Sequence, residues 1–249
     1  MVPLTVVIPA YNEHDRLGPS LVRIASYVED RPHWRPAELI VVDDGSGDGT
    51  FEVASSHPVS EDVAVIKVLR HSTNLGKGAA VRTGFSQSTG EQILLSDADL
   101  ATPIEELETL AAGGSQASVR VGSRALNREL IFVPQPRYRD LMGRTFNLVV
   151  QTLLLPGIHD TQCGFKLFPG DLGRHLAAVQ RLDGFAFDVE LLMVSRAWGV
   201  PIVEVPVRWR HVEASRVRPV AHSAEMLADL VGLGWRRLRG ALAAPVVRR

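Results

Sequence analysis

Two carboxylates two residues apart, Asp97 and Asp99, follow the apolar run Ile93-Leu94-Leu95 and precede Pro103. A short apolar run with such punctuation reads as a buried parallel strand. Ligands of open α/β sheets bind at the carboxyl ends of the strands, which is where this acid pair falls. Paired oxygens of this kind suit a hard divalent cation that keeps some waters and takes its other ligands from a substrate diphosphate. An isolated pair is more often a turn with two solvated acids, and the motifs upstream shift that balance.

The elements that must hold the pair are readable from periodicity. Strands are predicted over Leu4–Ile8, Leu39–Val42, Val63–Leu69, Gln92–Leu95 and Val119–Gly122. Helices alternate with them: Asp15–Asp30, a short one from Thr50, Gly78–Ser88, and Pro103–Ala112 opened by proline at its first turn. This alternation argues for an α/β fold with a doubly wound, mostly parallel sheet. The second half is less regular. A loop over Asn127–Pro136 leads into a long helix, Arg137–Leu155. A strand within Asp160–Phe168 precedes a helix from Pro169, then a helix over Phe187–Ala197 and a strand over Ile202–Val205. An amphipathic helix over Ser223–Leu242 closes the chain. One main domain over residues 1–220 is expected, with halves 1–125 and 126–220, followed by a basic amphipathic C-terminal helix (221–249).

The strand ends carry the chemistry. Pro9-Ala10-Tyr11-Asn12-Glu13 forms a shelf on which Tyr11 can stack a flat base and Glu13 can accept from base or ribose donors. Asn12 and Asp15 also fit plain helix caps. Asp43-Asp44-Gly45-Ser46 offers an acid for a nucleobase edge and a glycine for close backbone approach. Its GxGxG spacing after the second strand excludes the dinucleotide fingerprint, and Asn74-Leu75-Gly76-Lys77-Gly78 lacks the residues of a P-loop. Only three lysines exist, Lys67, Lys77 and Lys166, and two of them sit in glycine-containing motifs. That usage hints at assigned roles for Lys77 and Lys166.

These four motifs, in this order and spacing, resemble glycosyltransferase family 2, whose members have the GT-A fold and use nucleotide-sugar donors. A finer resemblance, to the dolichyl- or polyprenyl-phosphate sugar synthases and the dolichyl-phosphate β-glucosyltransferase branch, rests on further runs. These are Gly122-Ser123-Arg124, Arg139 with Phe146-Asn147, Asp160 to Phe168, and Gly184 to Glu190. The resemblance implies that Pro9, Ala10, Tyr11, Glu13 and Asp44, with Lys77, bind the donor's base and ribose. It implies that Asp97 and Asp99 hold Mg2+ or Mn2+ against the diphosphate, and that Arg124 and Arg139 grip the acceptor phosphate. Asp160, Gln162, Asp188 and Glu190 would line the sugar pocket. Where the mannosyl-transferring relatives have a polar residue that helps bind the ion, this chain has Ala101. The expected reaction is inverting transfer of a hexose-type unit from a UDP- or GDP-sugar to polyprenyl phosphate. A lipid monophosphate is already anionic and needs no strong base; for a hydroxyl acceptor Asp188 is the candidate base. The alternatives are transfer to a soluble or polysaccharide hydroxyl, and a nucleotide-binding protein without turnover.

Composition bounds the rest. Hydrophobic residues make up 45% and charged residues 22% of 249, ordinary for a globular chain. The lone cysteine, Cys163, gives neither a disulfide nor a zinc cluster. No transmembrane run and no signal peptide are expected, which points to the cytoplasm. Nine arginines against three acids fall in residues 208–249, a charge of +6 on a chain whose net charge is −1. The basic, leucine-rich closing helix with Trp235 suggests peripheral contact with the cytoplasmic face of a membrane, and Arg137–Leu155 is a second candidate. Packing on the sheet with snorkelling arginines is the competing account. With aromatics sparse in the tail, no nucleic-acid partner is expected.

Overall fold

The computed structural model describes residues 2–212, 219–240 and 242. Its strands are β1 (Leu4–Ala10), β2 (Ala37–Asp43), β3 (Ala64–Arg70), β4 (Gln92–Ser96), β5 (Val119–Ser123), β6 (Ile131–Val133), β7 (Phe165–Pro169), β8 (Ile202–Pro206) and β9 (Trp209–Arg210). Its α-helices are α1 (His14–Glu29), α2 (Thr50–Ser55), α3 (Lys77–Gln87), α4 (Glu106–Ala112), α5 (Arg137–Leu153), α6 (Gly170–Val179), α7 (Phe187–Ala197) and α8 (Pro219–Leu238). Seven strands form one sheet in the order β3-β2-β1-β4-β7-β5-β8, and β6 pairs with β9 outside it.

Strands β1, β2 and β4 are buried along their whole length, because helices cover both faces of the sheet. One face packs against Leu17, Leu21, Ile24 and Val28 of α1 with Leu107 and Leu110 of α4. The other packs against Val81 and Phe85 of α3, Leu176 of α6, Val150 of α5, and Leu230 and Leu233 of α8. The expected α/β, doubly wound, mostly parallel architecture is what the chain adopts.

One strand runs the other way. β7 is antiparallel to both neighbours, with Ser96 opposite Phe165 and Val121 opposite Lys166. Reversal brings the loop that precedes β7, residues 160–164, to the edge where β1, β2, β4 and β5 end. A parallel β7 would have left that loop at the far side of the sheet. Smaller differences have local causes. Regular helix in α4 starts at Glu106 rather than Pro103, and α5 ends at Leu153, before Pro156. The 127–136 loop contains β6, whose Ile131 pairs with Trp209. The closing helix starts and ends four residues earlier than its apolar pattern suggested. Arg216, Arg218, Arg248 and Arg249 of the basic tail lie outside the described residues.

Gly84 sits where α3 crosses β1, and a Cβ there would lie 2.3 Å from Val7 Cγ1. Gly84→Ala is expected to destabilise the fold by about 1–3 kcal/mol through overpacking. The check is the midpoint of urea denaturation at unchanged slope.

Candidate active site

The turn after β4 alternates strictly. Ala98 and Leu100 are buried in the core, which sends Asp97 and Asp99 to the opposite side, toward a cleft. Three contacts fix the turn. Ser20 of α1 donates to the Ala98 carbonyl at 2.7 Å, the Leu100 N–H donates to the Asp97 carbonyl at 3.2 Å, and the Ala101 N–H donates to Asp99 Oδ1 at 3.0 Å. Leu100 adopts φ +46°, an uncommon conformation for a non-glycine residue and one that clusters at functional sites. At position 101 it is thus the backbone that aligns the second acid.

Lys77, the first residue of α3, places Nζ 2.6 Å from Asp97 Oδ1. Arg16 bonds Glu13 at 2.6 Å and reaches within 3.8 Å of Asp99 Oδ2. Behind Asp97 lies Gly164, where a Cβ would fall 1.9 Å from Asp97 Oδ2. Asp188 of α7 faces Lys77 and Asp97 across a cleft of about 320 Å3. It bonds Lys166, whose ammonium is fully buried and also donates to the Cys163 carbonyl at 2.6 Å. Burial pushes Asp99 above the ordinary carboxylate range, reinforced by the negative charge of Asp97. Burial likewise raises Asp188, outweighing the opposing pull of Lys166 and Lys77. Burial pulls the Lys77 ammonium's pKa down, yet Asp97 and Asp188 outweigh it and hold it above the ordinary lysine value.

The edge expected to receive the donor is built from the loops after β1 and β2. The Asn12 N–H donates to Ser46 Oγ at 2.9 Å, Gly47 N–H to Asn12 Oδ1 at 3.0 Å, and Glu13 N–H to Thr50 Oγ1 at 2.8 Å. Pro9 and Ala10 are buried in β1, whereas Tyr11 is 39% exposed beside them. Asp44 is 2% exposed and accepts from the Leu75 and Gly76 N–H groups at 2.9 and 2.8 Å. His71 bonds Asp44 at 2.7 Å and Thr83 at 3.0 Å. The structure thus places Asp44 inside the loop, holding the start of α3.

On the acceptor side, Arg124 forks onto Asp160 through Nε and Nη2 at 2.7 and 2.8 Å and lies 5.4 Å over the Trp209 ring. Burial favours the neutral acid at Asp160, but Arg124 outweighs it and holds the carboxyl below its ordinary range. Arg124, Arg139 and Gln162 line the cleft with Asp188. Asp160 does not; it lines an adjacent cavity. Glu190, also expected at the sugar pocket, lies outside the cleft lining as well. Two residues along α7 from Asp188, it points to another face of the helix. It accepts from the Arg181 and Leu182 N–H groups at 3.0 and 2.8 Å and pairs with Arg236 of α8.

Sequence reasoning did not find Gly164, His71 or Trp209. Lys166 was flagged only by the scarcity of lysine. Among the described residues no cluster of three or more His, Cys, Asp or Glu could hold a metal. Asp97 and Asp99 are two acids of the right type on one side of a cleft, with room for diphosphate oxygens and water, so the pair fits an octahedral hard cation.

A doubly wound sheet thus carries an acid pair at the end of β4, over a cleft lined by Lys and Arg, the arrangement of a site for group transfer from phosphorylated ligands. The model for glycosyl transferase family 2 matches residues 5–169, and the chain belongs to that family. Among curated proteins, it is 37% identical over 248 residues to dolichyl-phosphate beta-glucosyltransferase of Homo sapiens, covering 96% of this chain and 76% of that one. It is 31% identical over 247 residues to the Saccharomyces cerevisiae protein of the same name, covering 92% and 73%. Among solved structures, glucosyl-3-phosphoglycerate synthase from Mycobacterium tuberculosis with Mn2+, UDP-glucose and phosphoglyceric acid superposes with a TM-score of 0.68 at 19% identity, covering 93% of this chain and 79% of that one. Mannosyl-3-phosphoglycerate synthase from Rubrobacter xylanophilus superposes with a TM-score of 0.67 at 20% identity, covering 100% and 77%. These two establish the shared GT-A fold, and the chain is a glycosyltransferase.

Gly164→Ala should push Asp97 off its position and lower turnover about a hundredfold, the scale of a 1 Å misplacement, with a wild-type circular-dichroism spectrum. A second expectation concerns pH. The pKa of Asp99 in the fold lies above its unfolded value. The stability its protonated form contributes is full below the unfolded value and lost as pH rises through the folded one. Asp99→Asn should therefore raise the thermal midpoint of EDTA-treated protein at neutral pH, with a gain that vanishes in acid.

Proposed function

We propose that this chain transfers a hexosyl unit, glucose in keeping with the names of its curated relatives, from a UDP- or GDP-sugar to polyprenyl phosphate with inversion. The observation that carries the acceptor class is the mixed lining of the cleft. Lys77, Arg124 and Arg139 line it together with Met142 and Phe146 of α5, Phe185, and Met226 of α8. Cations beside an apolar wall match a phosphate joined to a hydrocarbon chain.

The chain's own residues have separable tasks. Tyr11 and Glu13 receive base and ribose over the shelf held by Asp44. Arg139 and the unforked Nη1 of Arg124 hold the acceptor phosphate against the anomeric carbon, where direct displacement inverts the centre. The ammonium of Lys77 sits where charge builds on the leaving diphosphate. Mg2+ or Mn2+ bound at Asp97 and Asp99 would supply Lewis-acid stabilisation of that charge. Asp188, paired with Lys166, shapes the sugar side with Gln162, whose buried Nε2 has no hydrogen-bond partner among the described residues.

The enzyme works in this reading as a peripheral protein on the cytoplasmic face of a membrane, with residues 1–125 serving the donor, 126–220 the acceptor, and 221–249 the surface. No helix among the described residues is long and apolar enough to cross a bilayer. Leu148 and Leu153 of α5 and Val231, Trp235 and Leu238 of α8 are exposed. Such leucines with flanking arginines suit the headgroup region.

Purified protein with a nucleotide-sugar panel, Mg2+ and a short-chain polyprenyl phosphate should yield a lipid product one hexosyl unit heavier. EDTA and Asp99→Ala should each abolish it, and Arg139→Ala should raise the acceptor KM about tenfold, the scale of one charged hydrogen bond. Asp188→Asn should impair transfer to the lipid phosphate without abolishing it. Transfer to a sugar hydroxyl that Asp188→Asn abolishes would establish the hydroxyl-acceptor alternative instead. No metal-dependent turnover with any donor would leave a binding protein.

A further inference from the structure

The α5 helix divides two cavities. Arg139, Met142 and Phe146 face the catalytic cleft, while Arg137, Leu141 and Arg144 face a second cavity of about 440 Å3. Spacings of three and four residues place each set on its own stripe of the helix. Gly143 lines both cavities with nothing within 4 Å of where its Cβ would stand, and Arg124 forms a shared wall.

The transfer reaction leaves this second cavity unused. Four arginines line it, Arg124, Arg128, Arg137 and Arg144, against two acids, Asp140 and Asp160. Asp160 is committed to Arg124. Asp140 is shared by Arg128 at 3.1 Å and Arg144 at 3.3 Å, both about half exposed. Arg137 forms no ion pair among the described residues. Two guanidiniums on one carboxylate, with a third beside them, leave an excess of two positive charges. Apolar side chains lie beside these charges: Ile131, Pro134 and Leu141 line the cavity, and Leu141 is 66% exposed. Guanidinium forks match phosphate oxygens, and apolar side chains beside them match the chains above a headgroup.

We propose that this cavity is a second anion site, which takes the phosphate of an anionic phospholipid headgroup beside the acceptor's own site. The proposal rests on the reading of this chain as an enzyme of the membrane surface. The charge excess points to an anion, and the apolar side chains beside it point to a lipid rather than a soluble phosphate. An occupied site would orient α5, so that its other stripe, bearing Arg139, opens toward a lipid-borne acceptor in the same leaflet.

The test is co-sedimentation of the full chain with vesicles of phosphatidylcholine alone or with added phosphatidylglycerol, with neither donor nor acceptor present. Phosphatidylglycerol should strengthen binding, and Arg137→Gln with Arg144→Gln should weaken that binding by about fivefold for each arginine removed. Arg23→Gln with Arg31→Gln, which removes the same charge from α1 and the segment just past its C-terminus in the other layer, should weaken it far less. Equal losses in the two double variants, or none in the first, overturn the proposal. So does inorganic phosphate binding to wild-type protein with no gain in vesicle binding from phosphatidylglycerol, because the site would then take a soluble anion only. A circular-dichroism spectrum confirms the fold of the double variant; if it unfolds, Arg137→Gln alone is read in its place. Product formation is measured separately. Transfer without headgroup-dependent binding overturns this site only, and binding without transfer overturns the enzymatic reading only.

Discussion

Three carboxylates, Asp97, Asp99 and Asp188, share one cleft, and their mutual repulsion is the constraint around which the rest is arranged. Two lysines answer it, Lys77 on Asp97 and Lys166 on Asp188. Lys77 occupies the first turn of α3, where the helix dipole disfavours a cation. It stays there because the acids opposite outweigh the dipole. Lys166 is fully buried on β7, a position no ammonium occupies without a partner. Remove either lysine and uncompensated charge remains in a partly dry site, a larger disturbance than losing an exposed ion pair.

Holding Lys77 in register needs further contacts, and these join the two halves of the chain. Asp44, at the end of β2, accepts from the two amides that lead into α3. From the other side, the Asp183 carbonyl accepts from Gly78 and Ala79 at 2.7 and 3.2 Å. That approach is close enough that a Cβ at Gly76 or Gly78 would lie 2.4 Å from a backbone oxygen. The 181–182 segment is in turn held by Glu190, which pairs with Arg236 of α8. A continuous chain of polar contacts therefore runs from the donor loop to the closing helix through the base of Lys77.

Much of this was legible in the sequence, for reasons specific to each residue. β1, β2 and β4 are apolar runs, and the helices between them carry clear stripes, so the doubly wound sheet followed. The direction of β7 did not, since five residues of buried strand look the same in either sense; only pairing with β4 and β5 fixes it. Motifs marked which residues matter without saying what they hold. Asp44 and Glu190 read as ligand-binding acids; in the fold Asp44 also bonds the amides leading into α3 and His71, and Glu190 bonds the 181–182 amides and Arg236. Gly164 was invisible for another reason: its role is the absence of a side chain where Asp97 must stand. Lysine scarcity proved the better guide, because a chain that otherwise uses arginine at its surface places two of its three lysines against cleft acids.

The chemistry of the acceptor end follows from how Arg124 is used. Its fork spends Nε and Nη2 on Asp160, whose carboxylate that same pairing keeps ionised. A guanidinium so neutralised binds an incoming dianion less tightly than a free one, yet it is rigid, stacked on Trp209 and aimed by β5. Arg139, half-buried on the flank of α5, carries the charge that is not already committed. Attraction and alignment are thus divided between two arginines. In the proposed transfer, such a division suits an acceptor whose phosphate must be held firmly enough to attack and released once glycosylated, since the product has lost one of the negative charges that Arg139 would attract.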